Sequence, residues 1–214
     1  MSIPLPPFFK IVYARCMIEV ERKLFIDEPE LKTIEESAEF LESICLTDTY
    51  YDTADYRFTT SDIWLRERNC LFELKIGIKG IDGSIDRYLE IKDETEILKK
   101  LGLENESSLS KALQKASILP FATFQTIRRK YRLNKFLLDL DLAYFDDFIY
   151  RVLEIELKVE DDTKIHQAEK EIHQVINTLG LTQTRPVKAK LIQYLFQKSP
   201  AHYQALLVAG IIRD

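Results

Sequence analysis

At 214 residues the chain can bury a substantial core, and its 46% hydrophobic and 30% charged composition argues against disorder. A net charge of −5 argues against general affinity for nucleic acid or an anionic membrane, although a cleft could still concentrate positive charge. Cys16, Cys45 and Cys70 are odd in number, widely spaced and outside any CxxC or Cys/His grouping, so reduced thiols and a cytoplasmic location are expected.

The stretch Ile3 to Tyr13 is apolar but short, and three prolines and Lys10 interrupt it. It suits neither a membrane span nor a secretory signal, and residues 1–16 read as an N-terminal extension. Ile18 to Leu24 alternates as a strand. After Asp27-Glu28-Pro29, the spacing of Leu31, Ile34, Ala38, Leu41 and Ile44 predicts a helix from Glu30 to Ser43. A strand is expected at Leu46 to Asp52, a polar loop at Thr53 to Asp62, and two strands, Ile63–Arg68 and Leu71–Ile78, around an Asn69-Cys70 turn. Gly77, Gly80 and Gly83 mark a loop before a strand at Ile85 to Ile91; their spacing is that of a flexible turn and not of a phosphate loop.

Helices are expected at Glu94–Leu103 and Ser108–Ala116, then strands at Phe121–Leu133 and Phe136–Phe145 around Asn134-Lys135. Asp146-Asp147 leads into a strand at Phe148–Val159. A long helix, Thr163–Leu179, is closed by Gly180 at the position after its cap. The chain ends in Val187–Gln197 and a helix opened by Ser199 as N-cap and Pro200 behind it. About eight strands in mostly antiparallel sequence, with helices between them, predict an α+β fold around a large sheet or barrel.

The faces of these strands carry the functional signal. Glu19, Glu21 and Lys23 project from one side of their strand, about 6.6 Å apart, opposite Ile18, Val20 and Leu24. Trp64, Arg66 and Arg68 share a face, as do Glu73 and Lys75, Arg128, Lys130 and Arg132, Asp139 and Asp141, and Glu154, Glu156 and Lys158. One amphipathic strand alone reads as an ordinary sheet with a wet face. Six together, dense in Arg, Glu and Asp, weigh evenly between that reading and a site for a polyanion and a metal. Carboxylates two residues apart supply the hard oxygens that Mg²⁺ or Mn²⁺ requires, and clustered Arg and Lys supply donors for phosphate oxygens. A closed barrel, apolar outside and covered by helices, could hold both sets in its interior.

Glu19-x-Glu21-x-Lys23 resembles the N-terminal motif of the CYTH proteins, or triphosphate tunnel metalloenzymes. Asp48-Thr-Tyr-Tyr-Asp-Thr53, Trp64-Leu-Arg-Glu-Arg68, Glu73-Leu-Lys75, Thr126-Ile-Arg128, Leu138-Asp-Leu-Asp141, Glu154-Ile-Glu156 and Ala189-Lys-Leu-Ile-Gln-Tyr-Leu195 follow in the family's order. The resemblance spans residues 17 to about 208 and implies one domain over residues 17–214, a closed eight-stranded antiparallel barrel with flanking helices. Within the family, the Asp48–Thr53 segment, Trp64 and the Ala189–Leu195 ending are most similar to animal members that cleave the terminal phosphate of thiamine triphosphate with Mg²⁺.

By that resemblance, Lys23, Arg66, Arg68, Lys75, Arg128 and Lys190 would hold the triphosphate, and Glu19, Glu21, Asp139, Glu154 and Glu156 the metal. Trp64 would stack on the cationic thiamine, for which an aromatic face is apt. Tyr50 and Lys75 would form a catalytic pair assisting proton transfer, with a plain core tyrosine an equal alternative for Tyr50. A small-molecule triphosphate is the expected partner of a monomer, with Mg²⁺ (or Mn²⁺) as cofactor and no nucleic acid or membrane involved. Inorganic tripolyphosphate is the alternative substrate, a class IV adenylate cyclase is less favoured, and a silent polyphosphate-binding module is the non-enzymatic alternative.

Two departures stand out. The stretch between Asp141 and Glu154 has no glycine and reads as longer than the family's short turn, leaving Asp139 (preferred) or Asp141 as metal ligand. Glu67 replaces a basic residue but belongs to the outer face. His166 and His173, seven apart on one helix, read as surface residues, since a metal pair needs i, i+4 spacing.

Overall fold

The computed structural model describes residues 17–78, 86–104, 106, 108–181 and 187–213. The expected N-terminal extension and the second and third loop glycines lie outside them. Eight strands, β1 (Ile18–Leu24), β2 (Glu39–Asp52), β3 (Ile63–Arg68), β4 (Leu71–Gly77), β5 (Asp86–Ile91), β6 (Leu119–Leu133), β7 (Phe136–Phe145) and β8 (Phe148–Val159), are accompanied by six helices. These are α1 (Glu28–Ser37), α2 (Glu94–Leu101), α3 (Leu109–Lys115), α4 (Ile165–Thr178), α5 (Lys190–Lys198) and α6 (Pro200–Val208). The strands close into an antiparallel barrel in the order β1-β5-β4-β3-β2-β6-β7-β8, with β8 returning to β1. Closure leaves no sheet edge unpaired and separates an inside from an outside for every alternating strand.

Hairpin turns are where side-chain chemistry sets the backbone. Asn69 and Cys70 both adopt positive φ (48° and 68°), which matches the right-handed twist of the β3–β4 ribbon. Asn134 (φ 54°) does the same between β6 and β7. Between β7 and β8 the strands stay paired up to Phe145 opposite Phe148, so the connection is only Asp146-Asp147. The expectation of a longer loop there is corrected: Asp146, at φ 57°, takes the left-handed conformation a glycine would otherwise supply.

The first helix also differs from expectation. Asp27 and Glu30 form a reciprocal capping box, with Glu30 N–H donating to Asp27 Oδ1 at 2.8 Å and Asp27 N–H to Glu30 Oε2 at 3.0 Å. Yet α1 ends at Ser37, and residues 39–43 belong to β2, whose ladder with β6 runs from Glu39 opposite Arg132 to Asp52 opposite Leu119. Leu41 and Ile44 fit a helical period, but the long partner strand β6 offers a continuous ladder of hydrogen bonds that local periodicity does not reveal. The remaining helices fall near their expected places. Gly102 (φ 71°) and Gly180 (φ 64°) terminate α2 and α4, and Pro200 opens α6, although Ser199 makes no side-chain capping bond.

Two apolar layers cover the outside of the barrel. Ile18, Val20 and Leu24 of β1, with Leu138, Leu140, Leu153 and Ile155, pack under Ile165, Ala168, Ile172 and Ile176 of α4. Leu65, Leu74, Leu89 and Ile91 pack under α2 and α3 through Ile97, Leu109 and Leu113. Each such side chain contributes roughly 1.5–3 kcal/mol by leaving water, which fixes which strand faces point outward. The third cluster belongs to one end of the barrel, where Ala122, Phe124, Ala143, Phe145, Tyr150 and Val152 meet Leu191, Ile192 and Leu195 of α5. Helix α5 therefore plugs that end. Among the described residues no helix is long and apolar enough to cross a membrane.

Candidate active site

With the apolar faces held outward, the strand period of two places the charged faces inside. All thirteen residues singled out by the sequence, from Glu19, Glu21 and Lys23 on β1 to Lys190 at the start of α5, line one cavity of about 310 Å³. Glu19, Glu21, Arg128, Asp139 and Lys190 are each less than 9% exposed, far outside the range of a wet outer face. The reading of an ordinary wet sheet is therefore rejected by the barrel's closure.

Buried charges must be paired, and here they form three groups. In the first, Arg68 forks onto Asp48 at 2.7 and 2.8 Å, while Arg66 donates to Glu73 at 2.8 and 2.6 Å and lies 3.4 Å from the Tyr50 hydroxyl. The second centres on Arg128, which donates to both oxygens of Asp141 (2.7 and 2.6 Å), to Glu154 (2.7 Å) and to Asp139. Lys190 contacts Asp141 and donates to Glu154 at 2.6 Å, and Lys130 reaches Asp139 at 3.1 Å. In the third, Lys23 donates to Glu21 at 2.5 Å and Asp86 at 2.6 Å, Lys75 to Glu19 at 2.7 Å, and Lys158 lies 3.1 Å from Glu90 and 3.3 Å from Glu156.

These surroundings set the proton affinities. Burial alone would raise the Glu154 carboxyl, but Lys190 and Arg128 overcome it and hold Glu154 well below the usual range. Burial would likewise raise Glu19, and Lys75 brings it down. Burial disfavours the Lys75 ammonium, yet Glu21 and Glu19 raise its pKa, so it is protonated at neutral pH. Glu156 is the exception. Its own burial, then the like charges of Glu19 and Glu21, push it up to about 7, with Lys158 only partly opposing.

Tyr50 and Lys75 both face the cavity but have different partners. Tyr50 stacks on Phe124 (5.8 Å between centroids) and its hydroxyl meets Arg66, whereas Lys75 lies over the ring of Tyr88 at 5.5 Å. Asp141 is saturated by the Arg128 fork and by Lys190. Asp139 receives Arg128 and Lys130, so the pair is distinguished by partners and not by burial. His166 and His173 are exposed, in keeping with a surface role. The residues the sequence reading passed over are Asp86, Tyr88 and Glu90 of β5, together with Lys92. The first three share the period of two that marked the other strands, but one short strand next to a loop offered little alternation to read.

The donor set suits a hard cation in type. Glu19 and Glu21 of β1 sit beside Glu156 of β8, since Glu21 and Glu156 are register partners, and their mutual repulsion is visible in the raised Glu156. Among the described residues, however, no three His, Cys, Asp or Glu are gathered into a ready-made cluster. Asp139 and Glu154 are held by Arg128, Lys130 and Lys190. Any cation would have to compete with ammonium and guanidinium groups for these oxygens.

Comparison with known proteins bears on the same residues. The CYTH domain model matches residues 17–188. Human thiamine-triphosphatase is 31% identical over 220 residues, covering 94% of this chain and 94% of that protein. The Macaca fascicularis thiamine-triphosphatase is 31% identical over 212 residues, 91% of each. Among solved structures, the PH1819 protein of Pyrococcus horikoshii superposes with a TM-score of 0.58 at 20% identity, covering 84% of this chain and 99% of that one. A Hippeastrum protein, described as a candidate adenylyl cyclase with a dominant triphosphatase activity, gives 0.57 at 15% identity over 87% and 98%. At those identities the two structures attest to the fold alone.

Proposed function

The chain belongs to the CYTH family, and from that premise we propose that it is a Mg²⁺-dependent triphosphatase that cleaves the terminal phosphate of thiamine triphosphate. The observation that carries the reading is the make-up of a single lining. Arg66, Arg68, Lys75, Arg128 and Lys190 share one cavity with Trp64, which stands opposite Lys75 in the β3–β4 ladder and packs against the apolar cluster completed by α5. The basic groups suit a triphosphate, and the indole suits an aromatic cationic group attached to it.

Phosphoryl transfer asks mainly for positioning and charge neutralisation, and the basic residues supply both. On binding, the phosphate oxygens would take over donors now given to carboxylates, Arg66 from Glu73 and Arg128 from Asp141 and Glu154. Lys75, kept protonated by Glu21 and Glu19 against its burial, suits a cation or proton donor at the departing oxygen better than a base. Asp139 and Glu154, relieved of Arg128, would hold Mg²⁺ together with Glu19, Glu21 and Glu156. When bound, that ion would neutralise charge on the transferring phosphoryl group.

The test is phosphate release from thiamine triphosphate, tripolyphosphate and ATP, each with Mg²⁺, Mn²⁺ or chelator. The expected result is turnover of thiamine triphosphate that chelator abolishes. A preference for tripolyphosphate of more than about tenfold in kcat/KM, about 1.4 kcal/mol of transition-state binding, would overturn the substrate. Binding of all three without turnover would point to a polyphosphate-binding module instead.

A further inference from the structure

Trp64 is half-buried and packs against the apolar cluster completed by α5, but hydrophobic contact does not fix the rotation of an indole. Its ring N–H does. Trp64 Nε1 donates to Asp62 Oδ1 at 2.8 Å, a charge-assisted bond from a side chain that has only this one donor. Asp62 stands two residues earlier, at the end of the loop before β3, in a left-handed backbone conformation (φ 59°) that costs energy for a residue with a Cβ.

Several contacts hold Asp62 there. Gly77 N–H donates to its carbonyl at 2.8 Å, and its own N–H donates to Thr59 at 3.1 Å. Its carboxylate lies against Gly77 so closely that a Cβ on Gly77 would fall 1.6 Å from Asp62 Oδ2. A glycine at the end of β4 is thus what leaves room for the carboxylate beside the indole. Behind Asp62, the turn Thr59–Ser61 is fixed by Asp52, which accepts from Phe58 N–H (2.9 Å), Thr59 N–H (2.9 Å) and the Thr59 hydroxyl (2.7 Å). The Thr59 hydroxyl also meets His202 Nε2 of α6 at 2.7 Å. A left-handed aspartate at the end of such a chain of bonds implies that the position of its carboxylate matters.

We propose that Asp62, with Gly77 behind it, is a positioning residue that fixes the indole of Trp64 and so sets the preference for a triphosphate bearing a cationic aromatic group. The inference rests on the functional reading above. The carboxylate holds the edge of the ring through its N–H and leaves the face for the ligand's cationic group. Tripolyphosphate, which has no such group, would not depend on it.

The experiment compares wild type with Asp62→Ala, Asp62→Asn and Gly77→Ala on thiamine triphosphate and tripolyphosphate. Asp62→Ala is expected to lower kcat/KM for thiamine triphosphate about tenfold, mostly in KM, as one charge-assisted hydrogen bond would, and to leave tripolyphosphate within about twofold. Gly77→Ala should reproduce this by displacing the carboxylate. Asp62→Asn, whose amide oxygen can accept the same N–H, should recover most of the loss. Trp64 is the only tryptophan, so its emission reports its fixation without any substrate: acrylamide quenching should rise in Asp62→Ala and not in Asp62→Asn. Combining Asp62→Ala with Trp64→Phe, which lacks the N–H, should cost no more than Trp64→Phe alone.

Equal losses on the two substrates, an Asn variant no better than Ala, unchanged quenching, or additive losses in the double variant would each overturn the proposal. A wild-type protein that does not prefer thiamine triphosphate would show instead that the functional reading has failed, and with it the link to specificity.

Discussion

Arg128 is the hub of the buried charges, and Arg128→Met is the sharpest test of how the tunnel holds itself together. Arg128 is 7% exposed, and its guanidinium serves three carboxylates: both oxygens of Asp141 at 2.7 and 2.6 Å, Glu154 at 2.7 Å, and Asp139. Removing one partner of a buried ion pair costs about 3–5 kcal/mol. Here no carboxylate is left alone, because Lys190 still serves Asp141 and Glu154, and Lys130 still serves Asp139. The expected loss is therefore at the lower end, about 3 kcal/mol. Adding Lys190→Met withdraws the second partner, so the double variant should exceed the sum of the singles by about 1–2 kcal/mol.

The pH dependence has a definite sign. Glu154 is depressed below its ordinary 4.5, because Lys190 and Arg128 override its burial, so its contribution is present above 4.5 and is lost as pH falls through the folded value. The penalty in the double variant should consequently shrink on acidification below about pH 5. Urea unfolding of the metal-free protein at about pH 7.5, repeated at lower pH, measures all of this. A single-variant loss under about 1 kcal/mol, or strict additivity in the double, would refute the description of Arg128 as a hub.

Three further outcomes follow from the same geometry. Glu156, raised to about 7 by its burial and by Glu19 and Glu21, destabilises the metal-free protein as pH rises from 4.5 through 7. Glu156→Gln should thus be more stable than wild type by about 2 kcal/mol near pH 8 and by much less near pH 5, with urea curves that coincide at both pH values counting against it. The cavity lining has nine Lys and Arg against seven carboxylates, so Mg²⁺ and tripolyphosphate each compete with an internal partner that the other releases. Thermal shifts with both present should exceed the sum of the separate shifts, a coupling of about 1–3 kcal/mol, and simple additivity would exclude the exchange. His202 is lowered from 6.5 by burial, only partly offset by Asp52, so the unfolded chain binds the extra proton and stability falls as pH drops below 6.5. His202→Gln should flatten that part of the profile relative to wild type; an unchanged slope would remove His202 as its source.

Which residues share a strand face is readable from local spacing alone. Alternation of Glu19, Glu21 and Lys23 against Ile18, Val20 and Leu24 is a local property, because a strand turns successive side chains to opposite sides whatever surrounds it. For the same reason β7 and β8 were legible to the residue, each with a clear two-residue period and an Asp-Asp turn between them. The local pattern failed at Leu41 and Ile44, whose spacing fits a helix, because the competing term is a ladder with β6 about 90 residues away along the chain. It could not say which side of β1 is inside, since that depends on closure of the barrel and on α4 covering Ile18 and Val20.

Partnership likewise depends on the assembled barrel. Asp139 and Asp141 have the same period and the same burial, yet one is saturated by the Arg128 fork and Lys190 while the other shares Arg128 with Lys130. Asp62 reads in the sequence as the end of a polar loop. Its place beside Trp64 depends on Gly77, fifteen positions on, and on a turn held by Asp52 and His202. Electrostatic roles are set by distances of a few ångströms between residues far apart in the chain, and a strand pattern contains no information about those distances.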